Sequence, residues 1–293
     1  MRRFARFACF DWSGQAVAKP AGIALAMARA GADAPALVTS EDGWSRRSAL
    51  DWIEARIADQ ADLLIGCDFS FALPFADCGA YFPQWSVSPA DAKALWNCVE
   101  GLSADEPHFS ASRLADHPEL ARHFRSHAGG QTHVGDLFEP GLGRLRVTEK
   151  ACREQGLGNA ASCFNLIGAS QVGKSSFTGM RMLHRLSGRI AIWPFDPLPE
   201  TGPVLVEIYT ALAARRAGLT GPTKLRARQP LDAALAALGS RPHDPIDRYD
   251  DHSTDALLGA AWLRHAAGDA GLWRPKALDA LLAQTEGWTF GVS

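Results

Sequence analysis

The chain has 293 residues, 47% of them hydrophobic and 21% charged, a composition that excludes disorder and supplies a full-sized core, as one enlarged domain or two small ones. Its formal net charge of -2 gives no global attraction to nucleic acid or membrane, so binding of a polyanion needs a local basic patch. No run approaches the roughly 18 apolar residues of a membrane helix, and the opening MRRFARFACFDWSG has no apolar segment of signal-peptide length, so a cytoplasmic protein without membrane attachment is expected.

In chain order, Phe4 to Asp11 reads as a strand, Ile23 to Ala28 as a second and Ala34 to Thr39 as a third, with Gly, Pro and Asp between them. Ser45 can cap a helix whose apolar positions Ala49, Ile53 and Ile57 recur at fours. Leu63 to Asp68 follows as an apolar strand. Three strands on short links predict an antiparallel meander, and the helix predicts a crossover to a parallel fourth strand. From Pro74 to about Asn165 the pattern loosens, with helix-like pieces at Ala90 to Val99 and Pro118 to Arg125. Residues 75–163 therefore read as an insertion or subdomain between two halves of a core, 1–74 and 164–293. Regular structure resumes with a strand at Phe164 to Ile167, a glycine-rich turn, a helix near Met180 to Leu186 and a strand at Arg189 to Trp193. A further strand spans Val204 to Tyr209, then a helix runs through Arg216. Asp255 to His265 is apolar almost all round, which predicts a buried helix.

The acids fall at informative places. Phe7, Cys9 and Asp11 share one face of the first strand, and Leu64, Gly66 and Asp68 one face of the fourth; each face is apolar until it ends in an aspartate. Glu207 lies inside an apolar strand, where a carboxylate needs a partner or a metal. Asp251 and Asp255 are four apart at the start of the last buried helix, and His252 between them could shuttle a proton. Each acid alone can be a turn former or a helix cap. Collected together they repel, and a divalent cation is the usual remedy: two metals about 3.5–4 Å apart activate water and stabilise the leaving oxygen of a phosphodiester.

These residues sit in short motifs: Phe10-Asp11-Trp12-Ser13-Gly14, Gly66-Cys67-Asp68 through Pro74, Trp193-Pro194-Phe195-Asp196, Val206-Glu207-Ile208-Tyr209, Asp251 through Trp262 and Glu286-Gly287-Trp288. In that order the chain resembles the domain-of-unknown-function 429 family, a group of predicted nucleases. The resemblance implies an α/β, ribonuclease-H-like mixed sheet with flanking helices, here carrying a long insertion. In that fold, metal-binding acids come from the ends of the first and fourth strands and from a late helix. By position these are Asp11, Asp68 and Asp251 or Asp255, with Glu207 in a motif of unassigned role. A metal-dependent phosphodiester hydrolase is expected, with Mg²⁺ or Mn²⁺ on Asp11, Asp68 and Asp255, and Glu207, Asp251 and His252 completing the site.

A competing signal is Gly168-Ala169-Ser170-Gln171-Val172-Gly173-Lys174-Ser175, a literal phosphate-loop pattern between an expected strand and an expected helix. It supports an ATP-binding protein that uses Gly168, Gly173, Lys174 and Ser175, or a loop contacting a substrate phosphate without ATP hydrolysis. Against it stand the short preceding strand, Gly179 early in the helix and Pro194 before the acid of the nearest second motif. A third alternative is a non-catalytic ligand-binding protein of the same fold. Arg215, Arg216, Lys224, Arg226 and Arg228 follow one another without an intervening acid and could contact nucleic acid; a solvated helix and loop explain them as well. Histidines 108, 117, 123, 127 and 133 are irregularly spaced and read as surface residues. The six cysteines form no CxxC pair, and Cys9 and Cys67, inside apolar runs, read as reduced core thiols.

Overall fold

The run Arg6–Asp11 is buried at every position after the first, as a strand inside a sheet must be, and forms β1. The computed structural model describes residues 2–128, 130–168, 171–220 and 224–293. Two antiparallel strands follow, β2 (Ala24–Arg29) and β3 (Ala36–Leu37). The third strand was expected over residues 34–39 and is cut to two residues; it lies at the sheet edge, and Pro35 has no N–H to give to a ladder. Helix α1 (Arg46–Ala58) starts at Ser45, whose hydroxyl accepts from the Ser48 N–H while the Ser48 hydroxyl accepts from the Ser45 N–H. It carries the chain to β4 (Leu63–Asp68), parallel to β1.

The next segment builds α2 (Ala92–Ser103), α3 (Pro118–Ala121), a hairpin of β5 (Arg125–Ala128) and β6 (Gln131–Val134), and α4 (Val147–Glu154). Its side chains enter both apolar layers: Tyr81, Trp96 and Phe124 join the cluster of Phe10 and Ile65, while Cys152 and Leu157 join that of Phe7 and Leu64. The strand expected at Phe164 to Ile167 does not form. Phe164 and Leu166 are buried side chains, and the backbone there makes a single bridge, at Asn165, to Arg125 of the hairpin. Helix α5 (Val172–Leu186) then runs unbroken through Gly179. A Cβ at Gly179 would stand 2.3 Å from the Phe69 ring, so this glycine admits a close neighbour and does not end the helix.

Strands β7 (Ala191–Trp193) and β8 (Val204–Glu207) complete a six-stranded sheet of order β3-β2-β1-β4-β8-β7, in which β1, β4, β8 and β7 are parallel. Helices α6 (Thr210–Arg216), α7 (Arg228–Ala237), α8 (Asp251–Ala266) and α9 (Ala280–Gln284) follow. The protein is thus α/β with a mixed sheet between helical layers. Alternation along the strands sorts the core: Ala8, Phe10, Ile65 and Leu205 pack with α1, α2 and α5, while Phe7, Cys9, Leu64 and Val206 pack with α6, α7 and α8.

Helix α8 begins at Asp251, capped by Asp250, which accepts from the Ser253 N–H. It lies directly on β1, because a Cβ at Gly259 would stand 2.3 Å from the Cys9 sulfur. Asp255 is one turn before Gly259, and Asp11 is two residues beyond Cys9, roughly 6 Å in each case. Helix and strand therefore bring the two carboxyls to the same level. Among the described residues no helix is long and apolar enough to cross a membrane, and the six cysteines are free, with Cys9 and Cys67 buried.

Candidate active site

Asp11 and Asp68 are the last residues of adjacent parallel strands and stand in register, Cα beside Cα, on the face that α8 covers. The Asp68 Oδ2 accepts from the Thr210 hydroxyl at 2.9 Å, and the same hydroxyl lies 3.5 Å from Asp255 Oδ2. Thr210 opens α6, so one hydroxyl ties a strand end to two helices. Lys224 Nζ donates to Asp255 Oδ2, and His252 Nδ1 lies 2.6 Å from Asp11 Oδ2. The cluster borders a cleft of about 460 Å³ whose walls include Asp68, Asp255, Lys224, Ser70 and Ser175.

Burial controls the electrostatics. It pushes the Asp68 carboxyl up to about 8, with the charge of Asp11 adding to it and the Thr210 hydrogen bond opposing. Asp255 is pushed up to about 6 by burial and restrained by Lys224. Asp11 is also raised by burial, against the hydrogen bond from His252, and that bond in turn holds the His252 imidazole above its usual range. Burial and mutual repulsion therefore oppose simultaneous ionisation of the three carboxyls. Among the described residues no three His, Cys, Asp or Glu side chains stand together as a ready cation site. Each aspartate instead has its own partner: His252 for Asp11, Thr210 for Asp68, Lys224 for Asp255. As a donor set, three carboxylates from separate segments suit a hard divalent cation such as Mg²⁺ or Mn²⁺.

Two other expected acids lie outside this cluster, although Glu207 lines the same cleft. Asp251 points to Arg226, which binds it through two hydrogen bonds of 2.7 and 2.9 Å, and this pairing lowers its proton affinity. Glu207 pairs in register with Cys67, so it occupies the face opposite to Asp68. Its oxygens accept from Arg146 at 2.5 and 2.8 Å, from the Phe71 N–H at 2.7 Å and from the Thr289 hydroxyl at 2.6 Å. Arg146 also donates to Glu149, 3.0 Å away, so one buried guanidinium serves two carboxylates.

Of the glycine-rich loop, Ala169 and Ser170 lie outside the described residues. Gly168 has a positive φ of 78°. Gly173 is buried, and a Cβ there would stand 2.0 Å from the Cys163 carbonyl oxygen, so packing alone requires it. Ser175 faces the cleft, whereas Lys174 is exposed and outside its wall. Gly14 brings the turn after Asp11 against this helix start: a Cβ on it would stand 2.5 Å from the Ser175 nitrogen. The strand that should precede a phosphate loop is the one that does not form.

The basic strip is largely engaged internally. Arg215 donates to the Leu219 carbonyl, Arg216 to Gly291, Arg226 to Asp251, and Arg228 pairs with Asp232. Lys224 is its one member in the cleft wall. Of the five histidines read as surface residues, His123 is buried against Phe82 and Phe164, and burial lowers its pKa to about 4. Thr210, Ser70 and Arg146 were not singled out from the sequence, because lone hydroxyls and an arginine in an irregular segment show no period. Compared with known proteins, the chain matches no family model, no curated protein and no solved structure.

Proposed function

We propose that the Asp11–Asp68–Asp255 cluster is the active site of a divalent-metal-dependent phosphodiester hydrolase acting on nucleic acid, built on a ribonuclease-H-like core. The observation that carries this reading is the register of Asp11 and Asp68 at the carboxyl ends of adjacent parallel strands, with α8 bringing Asp255 to the same level. The order of meander, crossover and late helix supports the fold assignment. In this reading Asp11, Asp68 and Asp255 hold Mg²⁺ or Mn²⁺, which when bound supplies an activated water and stabilises a leaving oxygen. Thr210 fixes the Asp68 carboxylate. His252, anchored on Asp11 through Nδ1 and half exposed on its other side, holds or moves a proton at Nε2. Ser175 and the positive end of α5 border the cleft where substrate phosphate lies.

The test is hydrolysis of single- and double-stranded DNA and RNA with Mg²⁺ or Mn²⁺ by the wild-type chain, Asp11→Asn and Asp68→Asn. Cleavage by the wild type and its loss in both folded variants is expected. Absence of cleavage by the wild type on all substrates, or full activity in Asp68→Asn, overturns the proposal.

A further inference from the structure

Lys224 has the charge and the position of a stand-in for a metal ion. It is the one lysine or arginine in the wall of the cleft that bonds to the carboxylate cluster, through Asp255 Oδ2. Asp255 in turn shares the Thr210 hydroxyl with Asp68. The charged groups facing the Lys224 ammonium are Asp255, Asp11 and Asp251, and Asp68 also feels its field. Of these, Asp251 has Arg226 and Asp11 has His252, and Asp68 has the Thr210 hydroxyl, which leaves Asp255 as the carboxylate that depends on Lys224. Arg146, the other cation in the cleft wall, is saturated by Glu207 and Glu149.

The chain around Lys224 is suited to movement of the side chain. Residues 224–226 belong to no helix or strand, and the lysine side chain is 49% exposed, with its stem open to the cleft. A lysine head is a compact charge on four rotatable carbons, so it changes partner without backbone rearrangement. A divalent cation taken up at Asp255 Oδ2 competes with the Lys224 ammonium for the same oxygen and repels it at short range.

We propose that Lys224 is an exchangeable counter-ion: it neutralises Asp255 in the metal-free protein, leaves as a divalent cation is taken up, and then binds a phosphate oxygen of substrate in the same cleft. This rests on the metal-dependent reading above and deepens it. It predicts effects of opposite sign on two ligands from one substitution, which a purely structural ion pair does not give.

The experiment is calorimetric titration of Mn²⁺ alone, and of inorganic phosphate at saturating Mg²⁺, into the wild type, Lys224→Met, Lys224→Gln and Asp11→Asn. Lys224→Met and Lys224→Gln should bind Mn²⁺ on the order of tenfold tighter than wild type, since a competing charge is gone. Both should bind phosphate more weakly, by about fivefold or more. Asp11→Asn should lose Mn²⁺ binding. Wild-type Mn²⁺ binding that depends on Asp11 and is unchanged or weaker in both lysine variants overturns the exchange and leaves the metal site standing. Unchanged phosphate affinity overturns the transfer of Lys224 to substrate. No Mn²⁺ binding in any variant overturns the exchange and the metal-dependent reading together.

Discussion

A carboxyl that ionises near neutrality inside a fold makes that fold sensitive to pH, and Asp68 is such a group. Its ordinary value is 3.8 and burial beside Asp11 raises it to about 8. Between those values the folded chain holds a proton that the unfolded chain has released, so stability falls as pH rises through the window. Asp255, raised to about 6, adds to the lower part of it. In EDTA the melting temperature should therefore decline from about pH 4 to about pH 8. Asp68→Asn should flatten most of that decline, and an equal slope in the variant would show that Asp68 is ionised throughout. Glu207, by contrast, has a complete set of bonding partners. Glu207→Gln leaves the buried Arg146 with one carboxylate in place of two, and breaking a buried pair costs about 3–5 kcal/mol. Urea unfolding should show a loss of that order. The double variant with Arg146→Met should cost less than the two single changes added, since both remove the same Arg146–Glu207 pair, although Glu149 then loses its guanidinium partner as well. The sequence marked Glu207 as unusual but not its role, since alternation fixes which residues share a face within one strand and says nothing of register between strands. Pairing with Cys67, one residue short of Asp68, turns Glu207 to the other side.

At the scale of elements, the site depends on how closely α8 approaches β1. Gly259 permits that approach, and Gly259→Ala would put a methyl group within 2.3 Å of the Cys9 sulfur. Overpacking of this kind typically costs 1–3 kcal/mol. It also lifts the helix that carries Asp255, so Mn²⁺ affinity should fall along with stability. Cys9→Ala in the Gly259→Ala background makes room for the methyl and should restore part of both. Unchanged Mn²⁺ affinity in a destabilised Gly259→Ala variant would mean that Asp255 is not a ligand. The buried character of α8 was legible from the residues between Asp255 and His265, which have apolar side chains on nearly every face. Its first turn was not, because Asp250, Asp251 and Asp255 are all plausible near a helix start. Only the structure shows that Asp250 caps, Asp251 pairs outward with Arg226, and Asp255 turns inward. The edge strand and the segment at Phe164 to Ile167 were over-read for a related reason. Short apolar runs mark burial, and burial here comes from docking on a hairpin and a sheet edge instead of a full ladder.

At the scale of the molecule, two signals in one sequence converge on one place. The turn after Asp11 touches the start of α5 through Gly14, so the acidic motif and the glycine-rich loop meet at the cleft although about 160 residues of sequence separate them. That meeting was illegible beforehand, since each motif alone is compatible with a complete site of its own. Geometry assigns them unequal parts: Asp11 lies in the cluster, whereas Lys174 is exposed beside the cleft. Two substitutions separate the alternatives. Asp11→Asn removes one charge from the cluster, so the variant should be at least as stable as wild type without metal and should lose the rise in melting temperature that Mg²⁺ gives a metal-binding native state. Its turnover of nucleic acid should fall by several orders of magnitude. Lys174→Ala removes a peripheral positive charge; affinity for nucleic acid should drop only severalfold, with a shallower salt dependence. If the loop were instead an ATP site, Lys174→Ala would abolish ATP binding, because that lysine would neutralise the β and γ phosphates, while Asp11→Asn would leave ATP binding intact. ATP titrations of both variants, set beside their Mg²⁺-dependent melting curves, decide between the two: on the proposed reading the metal response follows Asp11 and no ATP response follows Lys174.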